Sequence, residues 1–175
     1  MNLGAWSLWA LAMPSLIAPQ VGQPEYELKA RFLLQFPEFV AWPERTTTPD
    51  PSGPFVILVL GDSPFGDQLD RAAQGKKIRG RPVEVLYSRD PAALEGCEMV
   101  FICASERGRI PSLAARAQSL GVLTIGDSEG YGERGVMINL LIESDLPRFE
   151  INRTAADQAG FRLSSQLLGL ARKVY

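Results

Sequence analysis

The sequence predicts a three-layer α/β sandwich: a mainly parallel, Rossmann-like sheet with helices on both faces and a C-terminal antiparallel hairpin. Three observations predict it. Phe55–Leu60 is an unbroken run of β-branched and apolar residues, the pattern of a central strand buried on both faces. Further apolar runs at residues 81–87, 99–103 and 122–125 alternate with segments that open on capping residues, the rhythm of strand–helix–strand units in a parallel sheet. Two imperfectly alternating segments, residues 136–143 and 148–152, flank Ser144-Asp145 and read as a hairpin.

Taken in order, residues 1–24 carry no charged side chain, and residues 3–18 are mostly apolar. Pro14 and the Pro19/Pro24 pair oppose a long regular helix, and the run falls short of the roughly 20 apolar residues of a membrane span. It reads as an export signal, followed by a single domain over residues 25–175. Residues 25–42 predict a helix, because Leu28, Phe32, Leu33, Phe36, Phe39 and Val40 recur at three- and four-residue steps. Pro37 kinks or splits it, having no N–H for the carbonyl of Leu33. Residues 44–54 form a loop. After the first strand, Ser63 caps a helix over residues 65–74 with Pro64 in its first turn, and Gly75 stops it. Ser105 caps a second helix over residues 106–120, which Gly121 ends. A Gly-rich loop, residues 127–135, leads to the hairpin. If Ser144-Asp145 centres the pairing, Leu140 faces Phe149, Ile138 faces Ile151 and Asn139 faces Glu150. A short helix over residues 154–159 and a last one over 163–174 complete the chain.

Composition narrows the chemistry. Apolar residues make up 46% and charged residues 22% of the 175, so the chain has enough apolar surface to bury a core. The formal net charge is −2 with no block of like charges, which argues against nucleic acid as a partner. The sequence has no histidine. That removes Ser-His-Asp and Cys-His nucleophiles and His-rich metal sites, along with the side chain best suited to proton transfer near neutral pH. An enzyme could still use Asp, Glu, Lys, Tyr or Cys, but the sequence singles out no catalytic residue, metal or cofactor. Cys97 and Cys103 are six residues apart; a strand of that length spans roughly 20 Å, too far for a bond, and both are read as free unless Cys97 pairs between chains.

Two loops sit where α/β folds hold ligands, at a strand's carboxyl end before a helix. One carries Asp62 and Ser63 in Gly61-Asp62-Ser63-Pro64-Phe65-Gly66 and the other carries Ser105. Neither is a P-loop or a dinucleotide fingerprint, and capping accounts for both serines. Asp62, Ser63 and Ser105 are the candidate ligand contacts. Asn139, Arg148, Glu150 and Asn152 would share one hairpin face, either solvated or paired so as to orient loops or form an interface. Phe32, Phe36 and Phe39 on the opening helix, with Tyr131 in the Gly-rich loop, are the candidate partner contacts.

Together these segments resemble the YfiR-like family of bacterial periplasmic regulatory proteins. The resemblance begins at Leu28-Lys29-Ala30 with Phe32, Phe36, Phe39 and Trp42-Pro43. It continues through Leu60-Gly61-Asp62 and Pro64-Phe65-Gly66, then Gly80-Arg81-Pro82-Val83, Val100-Phe101-Ile102 and Ala104-Ser105-Glu106, and Leu123-Thr124-Ile125-Gly126-Asp127. Its strongest stretch is Met137-Ile138-Asn139-Leu140 followed by Arg148-Phe149-Glu150-Ile151-Asn152, and it closes on Ala159-Gly160 and Leu167-Leu168. It covers residues 26–172, in order and with similar spacing. Pro37 departs from it, standing where a helix former is expected. The resemblance implies an exported, non-catalytic domain that restrains an inner-membrane signalling protein through its periplasmic region. The best-known case is a diguanylate cyclase, whose restraint lowers cyclic-di-GMP output and biofilm formation. It also makes a homodimer an expectation. A periplasmic small-ligand-sensing module feeding an envelope sensor or transporter is the alternative; an enzyme would need paired, strongly perturbed ionisable groups in a pocket.

Overall fold

The computed structural model of the chain describes residues 23–44, 52–144 and 146–175. The expected export signal falls almost wholly outside them, as do most of the 44–54 loop and Asp145 of the hairpin turn. The chain opens with α1 (Gln23–Gln35), which buries Ala30 and Leu33. Pro37 ends it as expected: Phe36–Phe39 tightens into a 3-10 turn and the chain leaves as the short β1 (Val40–Ala41). The other strands are β2 (Phe55–Leu60), β3 (Lys77–Ile78), β4 (Arg81–Ser88), β5 (Met99–Ile102), β6 (Leu123–Gly126), β7 (Ile138–Glu143), β8 (Leu146–Ile151), β9 (Arg162–Leu163) and β10 (Lys173–Val174). The remaining helices are α2 (Gln68–Ala73), α3 (Ile110–Leu120), α4 (Arg153–Gln158) and α5 (Ser165–Leu170).

Eight strands form one sheet in the order β10-β8-β7-β6-β5-β2-β4-β3, while β1 and β9 pair separately. β4, β2, β5, β6 and β7 run parallel; β8 returns antiparallel to β7. All six side chains of β2 are buried, because the strand has a parallel partner on each edge and a core on each face. Phe55, Ile57 and Val59 join the core under α1 and α2. Val56, Leu58 and Leu60 join the core under α3 and the 3-10 turn Pro91–Gly96. This is the three-layer sandwich the sequence predicts. The hairpin register is also the expected one, with Leu140 opposite Phe149, Ile138 opposite Ile151 and Asn139 opposite Glu150.

Three helices differ from expectation. α2 starts at Gln68, not residue 65, because Gly66 has a positive φ of 56°, which no right-handed helix contains. Ser63 closes the turn before it by accepting from Phe65 N at 3.3 Å. α3 starts at Ile110, with Pro111 in its first turn where a missing N–H costs nothing; residues before it form the 3-10 turn Ala104–Arg109. The last segment is not one helix. Arg172 N donates to Phe149 O and Tyr175 N to Ile151 O, each at 2.8 Å. The open edge of β8 thus draws residues 173–174 into the sheet, and tertiary pairing outweighs helix propensity.

Candidate functional site

The strand order reverses between β2 and β5: the chain runs from β2 outward to β4, then crosses back to β5 on the other side. In open α/β sheets that crevice, at the carboxyl ends of the strands, is where ligands bind. Gly61-Asp62-Ser63 leaves β2 there, Cys103-Ala104-Ser105 leaves β5, and Asp127-Ser128 leaves the neighbouring β6.

The crevice is stitched by its own groups. Ser105 does not cap a helix; its Oγ accepts from Asp62 N at 2.9 Å and ties the two loops together. Gly61 makes that approach practicable, since a Cβ there would lie 2.4 Å from Ser105 Oγ, and its φ of 106° suits glycine. Asp62 takes Arg89 Nε at 2.7 Å and Nη2 at 2.6 Å; this pair is exposed and contributes little to stability. Ser63 faces its own turn. The three expected ligand contacts therefore share one rim, with Asp62 and Ser105 joined through a backbone N–H. The carboxylate of Glu106, buried behind them, is held by Arg109, whose Nε donates at 2.8 Å.

Helix α1 lies across the same edge. Lys29 Nζ reaches Asp127 Oδ2 at 2.8 Å, with side chains only 3% and 5% exposed, and Glu25 Oε1 at 2.5 Å. Tyr26 OH donates to Asp127 Oδ2 at 3.0 Å. The Tyr26 ring meets Phe65 edge-on at 5.4 Å, and Phe65 meets Phe101 at 4.8 Å. Lys29, Tyr26 and Asp127 were not singled out as site residues from sequence. A signal existed: Lys29 stands four and seven residues before Leu33 and Phe36, so it is a charge on the apolar stripe of the helix.

Burial, reinforced by the charges of Asp127, Glu106 and Asp62, pushes the Cys103 thiol from 9.0 up to about 12. Burial and the Asp127 carboxylate likewise raise Tyr26. Both groups are neutral when protonated, so a raised folded-state pKa means that the unfolded chain ionises first. Their stabilisation is complete below pH about 9 and is lost as pH rises toward about 12. Urea midpoints should therefore fall between pH 8 and 10.5, and fall less steeply in Cys103→Ala; an equal slope in that variant would show that the thiol is not the cause. Cys97 and Cys103 are both buried and not joined by a disulfide, and they belong to the cores on opposite faces of the sheet. Cys97 also lies too deep to pair between folded chains.

The aromatic contacts expected for a partner are largely internal. Phe36 is 2% exposed and Tyr131 0%; Tyr131 OH donates to Cys103 O at 3.1 Å. Tyr131 fills the core under α3 and Phe36, in the 3-10 turn after α1, fills the core under α1 and α2, so neither side chain is at the surface expected of it. Phe32 and Phe39 are half-buried against the same core.

The hairpin residues divide. Asn139 is buried, its Nδ2 donating to Ser128 O at 2.9 Å and to Glu150 Oε2 at 3.3 Å. Glu150 is buried too and accepts from Arg172 Nη2 at 2.6 Å. Asn152 caps α4, accepting from Ala155 N at 2.8 Å, and donates to Gly132 O at 2.8 Å. Arg148 is exposed. Three of the four thus hold loops in place. Replacing Asn152 by alanine should cost about 1 kcal/mol, read as a lower urea midpoint at pH 7, whereas an unchanged midpoint would mean that the cap is redundant.

The molecule is thus an α/β domain of Rossmann-like topology whose first helix is tied to the loops at the carboxyl ends of β2 and β6. The sequence profile of the YfiR/HmsC-like family matches residues 26–172, and the chain belongs to that family. The family is one of periplasmic, non-catalytic regulators of cyclic-di-GMP signalling. No curated protein matches the sequence significantly. Among solved structures, the fold is similar to a conserved domain protein from Vibrio cholerae O1 biovar El Tor (TM-score 0.60, 14% identity, 86% of this chain and 60% of that one). It is also similar to an ABC domain from Streptococcus pneumoniae in complex with L-Trp (TM-score 0.58, 12% identity, 83% and 60%). The chain therefore spans about three-fifths of the length of either structure. Among the described residues no helix is long and apolar enough to cross a membrane.

Proposed function

We propose that the chain, exported by its leader at residues 1–24, is a regulator that binds and restrains the periplasmic region of an inner-membrane signalling protein, a diguanylate cyclase by family analogy. The observation that supports this most is the state of the switch-point crevice. Its polar groups bond to one another, and α1 is fixed over it by the buried Lys29–Asp127 pair. A domain that closes its own ligand edge is suited to acting through its surface. The test is to express the tagged chain in the periplasm of its host, crosslink, and identify what co-purifies. Recovery of one inner-membrane signalling protein, with cellular cyclic-di-GMP rising when the gene is deleted, is the expected result.

A second reading, a small-ligand-sensing module feeding an envelope sensor or transporter, draws on the shared rim of Asp62, Ser63 and Ser105 and on the similar fold that holds L-Trp. Failure to recover any protein, together with a rise in unfolding temperature on adding a periplasmic metabolite pool, would decide for it.

A further inference from the structure

The outer edge of β4 is open along most of its length. β3 covers only the start, pairing Ile78 with Arg81 and Lys77 with Pro82. One more bond, Val83 N to Lys76 O at 3.2 Å, extends that cover. Beyond it β4 has a partner on its inner side alone, which is β2. Backbone groups in such a strand point alternately to its two sides. Val83 N–H points outward, and Ser88 C=O points inward to Gly61 N at 2.9 Å. By the same alternation the N–H and C=O groups of Val85 and Tyr87 point outward, and among the described residues no strand meets them. No proline, the residue that would block pairing, stands at residues 83–88, so the open stretch has no such guard.

The surroundings of this edge are specific. A groove of about 350 Å³ runs beside it, walled by Asp70, Arg71 and Gln74 and floored by Val83 and Val85. Tyr87 OH donates to Asp70 at 2.6 Å and marks one end. Leu86 and Tyr87, on opposite faces, are 40% and 43% exposed. At the other end Lys76, Lys77 and Arg79 are exposed, with no carboxylate paired to them among the described residues.

We propose that this edge receives an extended segment of a partner protein as an added strand. An apolar side chain of the segment enters the groove over Val83 and Val85, and an acidic residue meets Lys76 and Lys77. The charge complementarity selects the partner's chemistry. An anionic lipid surface would satisfy the cations but not the outward backbone groups or the groove. The inference rests on the regulator reading and names the surface through which it would act.

The test begins with short peptides displayed on phage and selected on the full exported chain. Enriched peptides should alternate apolar residues, carry an acidic end, and slow amide exchange at Val85 and Tyr87. Val85→Pro removes an outward N–H without breaking a bond to β2 and should weaken the selected peptide about tenfold. Lys76→Glu with Lys77→Glu should also weaken it while leaving the unfolding midpoint unchanged, which keeps the test valid should the proline variant not fold. The proposal is overturned if no peptide is enriched or if those enriched protect another surface. It is equally overturned if the edge is taken by a second copy, seen as a dimer in sedimentation that Val85→Pro dissociates. Binding to phosphatidylglycerol vesicles without peptide enrichment would assign the cations to lipid and also overturn it. In the co-purification experiment, undiminished recovery of the partner with both variants would remove this edge as the interface and leave the regulator reading standing. If the wild-type chain recovers no partner, the regulator reading fails while the peptide selection still decides the edge.

Discussion

Replacing Lys29 with methionine should destabilise the folded chain by about 3–5 kcal/mol. Methionine keeps much of the aliphatic stem but removes the ammonium group. Asp127 is then left as a buried carboxylate with the Tyr26 hydroxyl at 3.0 Å and Ser128 Oγ at 3.5 Å, and the desolvation of its charge is no longer compensated. Asp127→Ala should cost less, since Lys29 retains Glu25 at 2.5 Å. The double variant Lys29→Met/Asp127→Leu should recover much of the loss, because a buried ion pair replaced whole by apolar groups leaves no orphaned charge. Urea unfolding of the four proteins at pH 7 measures this directly. Additive losses in the double variant would mean that the two side chains do not act as a pair. Since the pair fixes α1 over the crevice, the single variants should also speed amide exchange in α1 before the rest of the sheet.

Tyr131→Ala should cost about 3–5 kcal/mol, the loss expected on emptying a fully buried aromatic site. The ring lies in the core under α3 and against β6, where a Cβ on Gly126 would stand 2.5 Å from Tyr131 Cδ2. Tyr131→Phe keeps the ring, loses the hydroxyl that bonds Cys103 O, and should cost about 1 kcal/mol. Thermal unfolding distinguishes this from a surface role. A partner contact would weaken co-purification in Tyr131→Ala with little change in midpoint, whereas a core role lowers the midpoint steeply.

The elements legible in the sequence were those set by local chemistry. Phe55–Leu60 announced a central strand because only a doubly covered position accommodates six consecutive apolar side chains. Pro37 ended α1 because its ring removes a donor in any context. The hairpin register followed from the turn position and the facing pairs. The switch-point loops were also recognisable, since a strand's carboxyl end before a helix is visible as a pattern.

Tertiary structure alone decided what those loops do. Ser105 had two uses for its hydroxyl, a helix cap or a stitch to Asp62 N, and the choice depends on how close β2 brings Gly61, which no local pattern states. Lys29 and Asp127 are 98 residues apart, and their pairing exists only once α1 docks on the end of β6. Residues 173–174 became a strand because β8 had an open edge. The sequence offers Phe36 and Tyr131 as partner contacts, and packing places both inside. By itself the sequence determined the layers, most of the strands, the family and the absence of histidine chemistry. The folded chain determined that the switch-point loops are tied to one another and to α1 and that the β4 edge is open, because both depend on which distant segments come within hydrogen-bonding reach.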